Sequence, residues 1–392
     1  MTARVILTAI LLFWLSLSEI CTPQNRVTAV VTIPVETILE ADDSSSTVEA
    51  WLEMICSARR TIDLAEFYLA SRAGERLEEV ITALLQKARQ GINVRVLAEK
   101  KMAAVYPEVL ARLTATSGIA VRLFDWQELN GGILHAKYLI VDGRECFVGS
   151  QNFDWRSLKH IHETGLRVRD TRICAALSAI FTADWDYSGG DRSAYEKLKL
   201  AKPYPFDPAL RLTASPAPFL PPGVMPSLKA LTELIEDAQQ EITVQLLTYT
   251  TEDGRFSTLA DALKRAATRG VRVRMLIADW NLRPEGLVGL RRLARIEGVE
   301  VRVAAIPPAR EGFIPYARVI HSKVMRVDRD RCWLGTSNWG EDYFQRSRNI
   351  ELIVESASLA VVLDGLFRSL WESPYVSRFD PDRAYEAPRI AA

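Results

Sequence analysis

Two hydrophobic periods alternate along this chain. From Val48 to Ala58 the apolar residues recur at helical spacing, behind Ser44-Ser45-Ser46, which are candidates to cap a helix N-terminus. Arg60 to Leu69 reads as a buried strand. Glu75 to Gln90 returns to helical spacing with one apolar face, and stops at Gly91, a residue suited to the left-handed backbone that follows a helix. Val94 to Leu97 and Val121 to Phe124 are further strands. The second half runs through the same order: helix over 226–238, strand over 241–249, helix over 257–268, strand over 271–277, helix over 284–296 and strand over 299–304. Strands alternating with helices of this length imply a mixed or mostly parallel sheet covered by helices.

The echo between the halves extends to residue identity. Gly91-Ile92-Asn93-Val94-Arg95-Val96-Leu97 matches Gly270-Val271-Arg272-Val273-Arg274-Met275-Leu276, and Gly118-Ile119-Ala120-Val121-Arg122 matches Gly298-Val299-Glu300-Val301-Arg302. Later, Phe181 and Trp185 correspond to Phe367 and Trp371. Between the copies lie Pro203, Pro205, Pro208, Pro216, Pro218, Pro221 and Pro222, a composition that resists both helix and central strand. The expected architecture is α/β: two similar lobes over 27–205 and 215–385, each a mixed β-sheet flanked by helices, related by a pseudo-two-fold axis.

Composition narrows the class. The 49 basic and 49 acidic side chains cancel, which counts against a protein that coats long duplex DNA but leaves room for a pocket that holds one phosphate. Arg4 followed by the mostly apolar run Val5 to Leu17 reads as a signal peptide or N-terminal anchor within 1–22, so an exported protein is expected. Cys56, Cys146, Cys174 and Cys332 form no C-x-x-C pair and read as scattered small residues rather than a thiolate zinc site, with one disulfide possible after export.

The chemistry sits at matching places in the two copies. His135-Ala136-Lys137, Asp142 and Gly149-Ser150-Gln151-Asn152 recur as His321-Ser322-Lys323, Asp328 and Gly335-Thr336-Ser337-Asn338, 186 positions later with identical internal spacing. Chance production of one such motif in a chain this long is on the order of one in 10^5, so two in register mark a function. Leu134 to Val141 reads as a strand whose alternation puts His135 and Lys137 on one face. Two imidazoles, two ammonium groups and two amides around one point suit phosphodiester cleavage. One histidine attacks phosphorus; the other protonates the leaving oxygen and then activates water. Lys137, Lys323, Asn152 and Asn338 stabilise the developing charge, and Ser150 and Thr336 bring their segments against the phosphate. Glu163 and Glu351 are assigned to the far nitrogens of the imidazoles, fixing their tautomers. Asp142 and Asp328 belong to the motif as catalytic candidates, but an aspartate before Gly143 is also ordinary turn chemistry. His160 and His162 lack obvious nearby ligand partners and read as structural, so no metal site is assigned.

This double motif resembles that of the phospholipase D superfamily, and the resemblance covers nearly everything after residue 27. It implies the two-lobe fold, a phosphohistidine on His135 with His321 as acid, and chemistry that needs neither metal nor cofactor. Gly149 to Leu158, Gly335 to Phe344 and the tail Trp371-Glu372-Ser373-Pro374-Tyr375 are similar to the branch holding endolysosomal single-strand 5′ exonucleases and poxvirus envelope phospholipases. The implied partner is a phosphodiester substrate: single-stranded nucleic acid, or as the alternative a phospholipid hydrolysed or transphosphatidylated at a membrane surface. No obligate protein partner is implied. A catalytically dead binding protein is disfavoured because both motifs are intact. The stretches Trp126 to Gly132 and Ile306 to Ala317 are expected to wall the pocket. Trp126, Trp155, Phe313, Tyr316 and Trp339 either stack bases, line an acyl groove or belong to the core.

Overall fold

A computed structural model describes residues 26–41, 44–251 and 256–391; the apolar N-terminal run lies outside these residues. The first half carries strands β1 (Val27–Thr32), β2 (Ser45–Ser46), β3 (Thr61–Glu66), β4 (Leu69–Ala70), β5 (Asn93–Glu99), β6 (Ile119–Phe124), β7 (Tyr138–Val141), β8 (Glu145–Gly149), β9 (Phe153–Asp154) and β10 (Glu163–Val168). The second half carries β11 (Leu210–Ser215), β12 (Met225–Pro226), β13 (Glu241–Leu246), β14 (Arg272–Ala278), β15 (Val299–Ala304), β16 (Val324–Val327), β17 (Arg331–Gly335), β18 (Asn349–Glu355) and β19 (Val376–Arg378).

Two large sheets result, in the orders β2-β1-β10-β8-β7-β3-β5-β6 and β12-β11-β18-β17-β16-β13-β14-β15-β19. Apart from β19, which pairs with the edge of β15, the second order repeats the first. The parallel character expected from the sequence holds for β3, β5 and β6 and their counterparts, where helices make the crossovers. The remaining long strands pair antiparallel, β7 with β8 as a hairpin. Helices Thr47–Ser57 and Leu77–Arg89 bury Trp51, Met54, Val80, Ile81 and Leu84 against Val94 and Val96. On the other side the two sheets share one core, in which Val148 and Leu166 of the first meet Leu334, Ile350 and Leu352 of the second. That shared core fixes the lobes relative to each other.

Several sequence expectations shift. Strand β3 ends at Glu66 rather than Leu69, and β13 at Leu246 rather than 249. The strand expected from Leu134 begins only at Tyr138. Residues ahead of it leave their own sheet to pair with the opposite lobe: His135 N–H donates to the Arg348 carbonyl and Arg348 N–H to the Ile133 carbonyl, each at 2.9 Å. Cys146, Cys174 and Cys332 are buried free thiols, whereas Cys56 is exposed. Among the described residues, no helix is long and apolar enough to cross a membrane.

Asp142 and Asp328 stand at the tips of the β7–β8 and β16–β17 hairpins with φ of 53° and 54°, a left-handed backbone that aspartate tolerates. Their carboxylates point away from the histidines. Asp142 accepts the backbone N–H groups of Arg59, Arg60 and Thr61 at 2.8–2.9 Å. Asp328 accepts those of Gln239, Gln240 and Glu241. Partial burial opposes ionisation, but these donors together hold both carboxyls below their usual range. The geometry therefore corrects their candidacy as catalytic groups: each aspartate ties a hairpin to the start of the neighbouring strand. Asp142→Ala or Asp328→Ala is expected to cost about 1–3 kcal/mol in urea unfolding, since three charge-assisted bonds vanish. The pH–rate profile of the folded variant should match the parent; a displaced profile would show a role in chemistry.

Candidate active site

The histidines are placed by an exchange between lobes. At the second crossing, His321 N–H donates to the His162 carbonyl at 2.8 Å and His162 N–H to the Val319 carbonyl at 2.9 Å. This mirrors the pairing of His135 with Arg348, 186 positions apart at every point. Each imidazole is then fixed by a side chain from the other lobe. His321 Nδ1 lies 2.9 Å from Glu163 Oε2. His135 Nδ1 lies 2.9 Å from Asn349 Oδ1. Both acceptors are fully buried at the first positions of β10 and β18.

Hydrogen bonding fixes the tautomers. Asn349 Nδ2 donates to the Tyr343 carbonyl at 2.7 Å, so its oxygen must face His135. Nδ1 of His135 therefore carries the proton, and Nε2 is left with its lone pair. Glu163, being acceptor-only when ionised, imposes the same tautomer on His321. Among the described residues neither Nε2 has a hydrogen-bond partner within the protein.

Ser150 and Thr336 do not reach the cavity. Ser150 Oγ donates to Glu163 Oε2 at 2.5 Å while accepting the Thr164 N–H. Thr336 Oγ1 donates to Asn349 Oδ1 at 2.9 Å while accepting the Ile350 N–H. This corrects their assignment to the phosphate: they are the supports behind the two orienting groups. Glu351 is also corrected. It touches neither histidine, and accepts instead from the hydroxyls of Ser227, Ser337 and Thr213. Burial pushes its carboxyl up to about 7 against the pull of those hydroxyls. The residue in register with Glu163 is Asn349, at the same 186-residue offset as the rest of the motif. The sequence reading assigned Glu351 instead; that constant offset is the signal that points to Asn349.

Lys137 and Lys323 are completely buried, and each Nζ donates to the carbonyl of the histidine two residues before it, at 2.6 and 2.5 Å. Burial lowers Lys137 to about 7 against the opposing pull of Glu66 and Glu163, and lowers Lys323 well below the usual lysine value. Burial also drives both imidazoles down. His321 falls to about 4, held there by Glu163 against the lysines; His135, flanked by Lys137 and Lys323, falls well below its usual value.

His135, His321, Asn152 and Asn338 line one cavity of about 410 Å³. Its walls include Phe67, Tyr68, Tyr106, Trp280, Tyr316 and Tyr343. Among the described residues, the buried amide oxygens of Asn152 and Asn338 have no hydrogen-bond partner. A larger, shallower groove of about 560 Å³ beside Pro226 and Phe344 holds none of these groups. Of the aromatics singled out in the sequence, only Tyr316 reaches the cavity. Trp126 and Trp339 are core, Trp155 packs under Arg72, and Phe313 packs against Arg389 on the surface. Trp126 to Gly132 packs on the second lobe, with Trp126 Nε1 donating to the Arg346 carbonyl at 2.6 Å. Phe67, Tyr68 and Tyr106 were missed because nothing in their local sequence separates a wall from a core position. His160 lies 3.2 Å from Glu311, and His162 bonds Ser322 and Gln245.

Two repeated lobes whose histidines meet on one cavity, each with a buried lysine two residues on, define a phosphodiesterase of the phospholipase D type. The chain belongs to the family described as cardiolipin synthase, PLD-like domain, whose model matches residues 51–185 and 231–371. It is 31% identical over 376 residues to the human protein named 5'-3' exonuclease PLD3, covering 86% of this chain and 76% of that one. It is 28% identical over 374 residues to phospholipase D Z of Dictyostelium discoideum, covering 86% and 87%. The fold matches the phosphatidylserine synthase of Haemophilus influenzae with a TM-score of 0.62 at 12% identity, covering 85% of each chain.

The two carboxylates make a direct test. Glu163→Gln is expected to lower kcat/KM by on the order of 10^2–10^4, the range that follows loss of an anionic histidine partner. Glu351→Gln should leave the pH dependence unchanged. Equal effects on rate and pH profile would contradict the different placements of the two groups.

Proposed function

We propose that the protein hydrolyses phosphodiesters in two steps through a phosphohistidine, on single-stranded nucleic acid attacked from the 5′ end. The observation that carries the mechanism is the pair of Nε2 lone-pair positions facing one cavity, each fixed from behind. The two histidines are not equivalent. His321 rests on an anionic carboxylate that stabilises its imidazolium, which suits a proton donor. His135 rests on a neutral amide beside two lysines, which keeps it unprotonated and suits a nucleophile.

His135 Nε2 attacks phosphorus while His321 Nε2–H protonates the leaving oxygen. Water then attacks the phosphoryl group as His321 takes its proton, and the P–N bond breaks. The arriving phosphate anion opposes the burial that lowers Lys137 and Lys323, so both hold or take up a proton from solvent and act as ammonium donors once substrate is bound. The amides of Asn152 and Asn338 add neutral hydrogen bonds. The leaning to nucleic acid rests on the exonuclease name carried by relatives and on the aromatic walls, since base faces stack on Phe67, Tyr68, Tyr106 and Tyr316. The phospholipase D name of the Dictyostelium relative keeps a lipid substrate as the second reading.

A side-by-side assay separates the two. Mononucleotide release from a 5′-hydroxyl oligonucleotide, unaffected by EDTA and lost in His135→Ala and His321→Ala, is expected. Choline release from phosphatidylcholine without nucleotide release would favour the lipid reading. Retention of full activity in either variant would contradict the mechanism.

The pH dependence carries a sign. Activity needs His321 protonated, and its value of about 4 means the competent fraction shrinks as pH rises. On the oligonucleotide, kcat/KM is expected to fall about tenfold per pH unit above roughly pH 5. Glu163→Gln should move the fall further towards acid. A level kcat/KM from pH 5 to 8 would contradict the assignment of His321 as the acid.

A further inference from the structure

The two halves of the site follow one design except behind the histidines. At the position where the first lobe supplies Glu163, the second supplies Asn349. Ser150 and Thr336 brace the two in the same way, at 2.5 and 2.9 Å. The contacts to the imidazoles are the same length, 2.9 Å. The amide orientation is locked by donation to the Tyr343 carbonyl. Asn349 is fully buried, and no side-chain carboxylate contacts the His135 ring among the described residues. The substitution of amide for carboxylate therefore preserves the contact, removes the negative charge, and leaves an acceptor that cannot take up a proton.

We infer that Asn349 is a positioning residue that keeps the phosphohistidine on His135 short-lived, by denying its Nδ1 proton anywhere to go. The inference rests on His135 being the nucleophile. When Nε2 of the neutral ring bonds to phosphorus, the P–O bond to the leaving group breaks and its electron pair takes the proton of His321. The His135 ring is now an N-phosphoryl imidazolium, with Nδ1 still protonated and bonded to Asn349 Oδ1. In the second step water attacks phosphorus, its proton passes to His321, and the P–N electron pair returns to Nε2. The group that departs is a neutral imidazole, a good leaving group. The phosphoryl group makes the Nδ1 proton more acidic than that of the free imidazolium which Glu163 stabilises, so a carboxylate at 349 would draw it towards itself. The adduct would then approach a neutral N-phosphoryl imidazole, whose departure as an anion is far harder. The amide thus biases the site towards rapid turnover of the intermediate and against its storage. Glu163 occupies the other seat, where His321 must gain and lose a proton in each cycle and an anionic partner assists.

Bis(4-nitrophenyl) phosphate tests this in the full chain without prejudging the natural substrate, because its first step releases a coloured phenolate that needs no acid. At neutral pH, Asn349→Asp is expected to give a phenolate burst close to one per active site, with the phosphohistidine persisting longer by on the order of tenfold or more. The wild type should give little burst, and Asn349→Gln should not prolong the intermediate. Alkaline quenching and peptide mapping locate the adduct. An adduct on His135 with the same lifetime in Asn349→Asp as in the wild type overturns the inference alone. An adduct on His321 overturns the nucleophile assignment and the inference with it. Should Asn349→Asp fail to fold, the phosphorylated His321→Ala protein provides the same test. Its ¹⁵N spectrum is expected to show a protonated Nδ1 on the modified His135 at pH 7, and a deprotonated Nδ1 overturns the inference.

Discussion

Everything at this site depends on an exchange of backbone between the lobes. The segment before each histidine leaves its own sheet and pairs with the strand start of the other half, at Arg348 in one direction and His162 in the other. Because of this exchange, the side chain behind each imidazole comes from the opposite lobe. Neither lobe alone holds an oriented histidine. The shared apolar core beneath, from Val148 and Leu166 to Leu334 and Leu352, fixes the separation at which the exchange closes. A rigid two-lobed core is thus the condition for placing two imidazoles against one phosphate.

Burial is the second constraint, and it acts on every titratable group present. It lowers both histidines and both lysines, leaving a site with little positive charge until an anion enters. In the mechanism proposed above, a substrate phosphate raises the proton affinity of the groups that bind it. That coupling favours anionic ligands over neutral ones without a permanent, and costly, cluster of buried cations. Within this shared environment, the choice of carboxylate or amide behind the ring differentiates the two histidines.

The sequence exposed the parts of this design that repeat. The duplicated H-x-K motif, the order of helices and strands and the two-lobe α/β class were readable because periodicity and spacing survive in one dimension. The hairpin role of Asp142 and Asp328 was less visible, since a motif aspartate and a turn aspartate look alike until its backbone partners are seen. Glu351 drew attention as a carboxylate following the second motif, while the register pointed two residues earlier to Asn349. Chemistry outweighed spacing in that assignment, and spacing located the contact. The extent of the strand before His135 was misread because the run is apolar on both sides of a switch in pairing partner. The walls of the cavity come from Phe67, Tyr106 and Trp280, which are far from the motifs in sequence and reach it only through the fold.

The central claim is that both histidines act on one phosphorus. A crystal structure with orthovanadate tests it most directly, because vanadium adopts the five-coordinate geometry of phosphoryl transfer. The account requires a single vanadate with His135 Nε2 bonded to the metal at one apex and the opposite apical oxygen within hydrogen-bonding distance of His321 Nε2. Vanadate bound by one histidine with the other unengaged, or bound outside the 410 Å³ cavity, would contradict it.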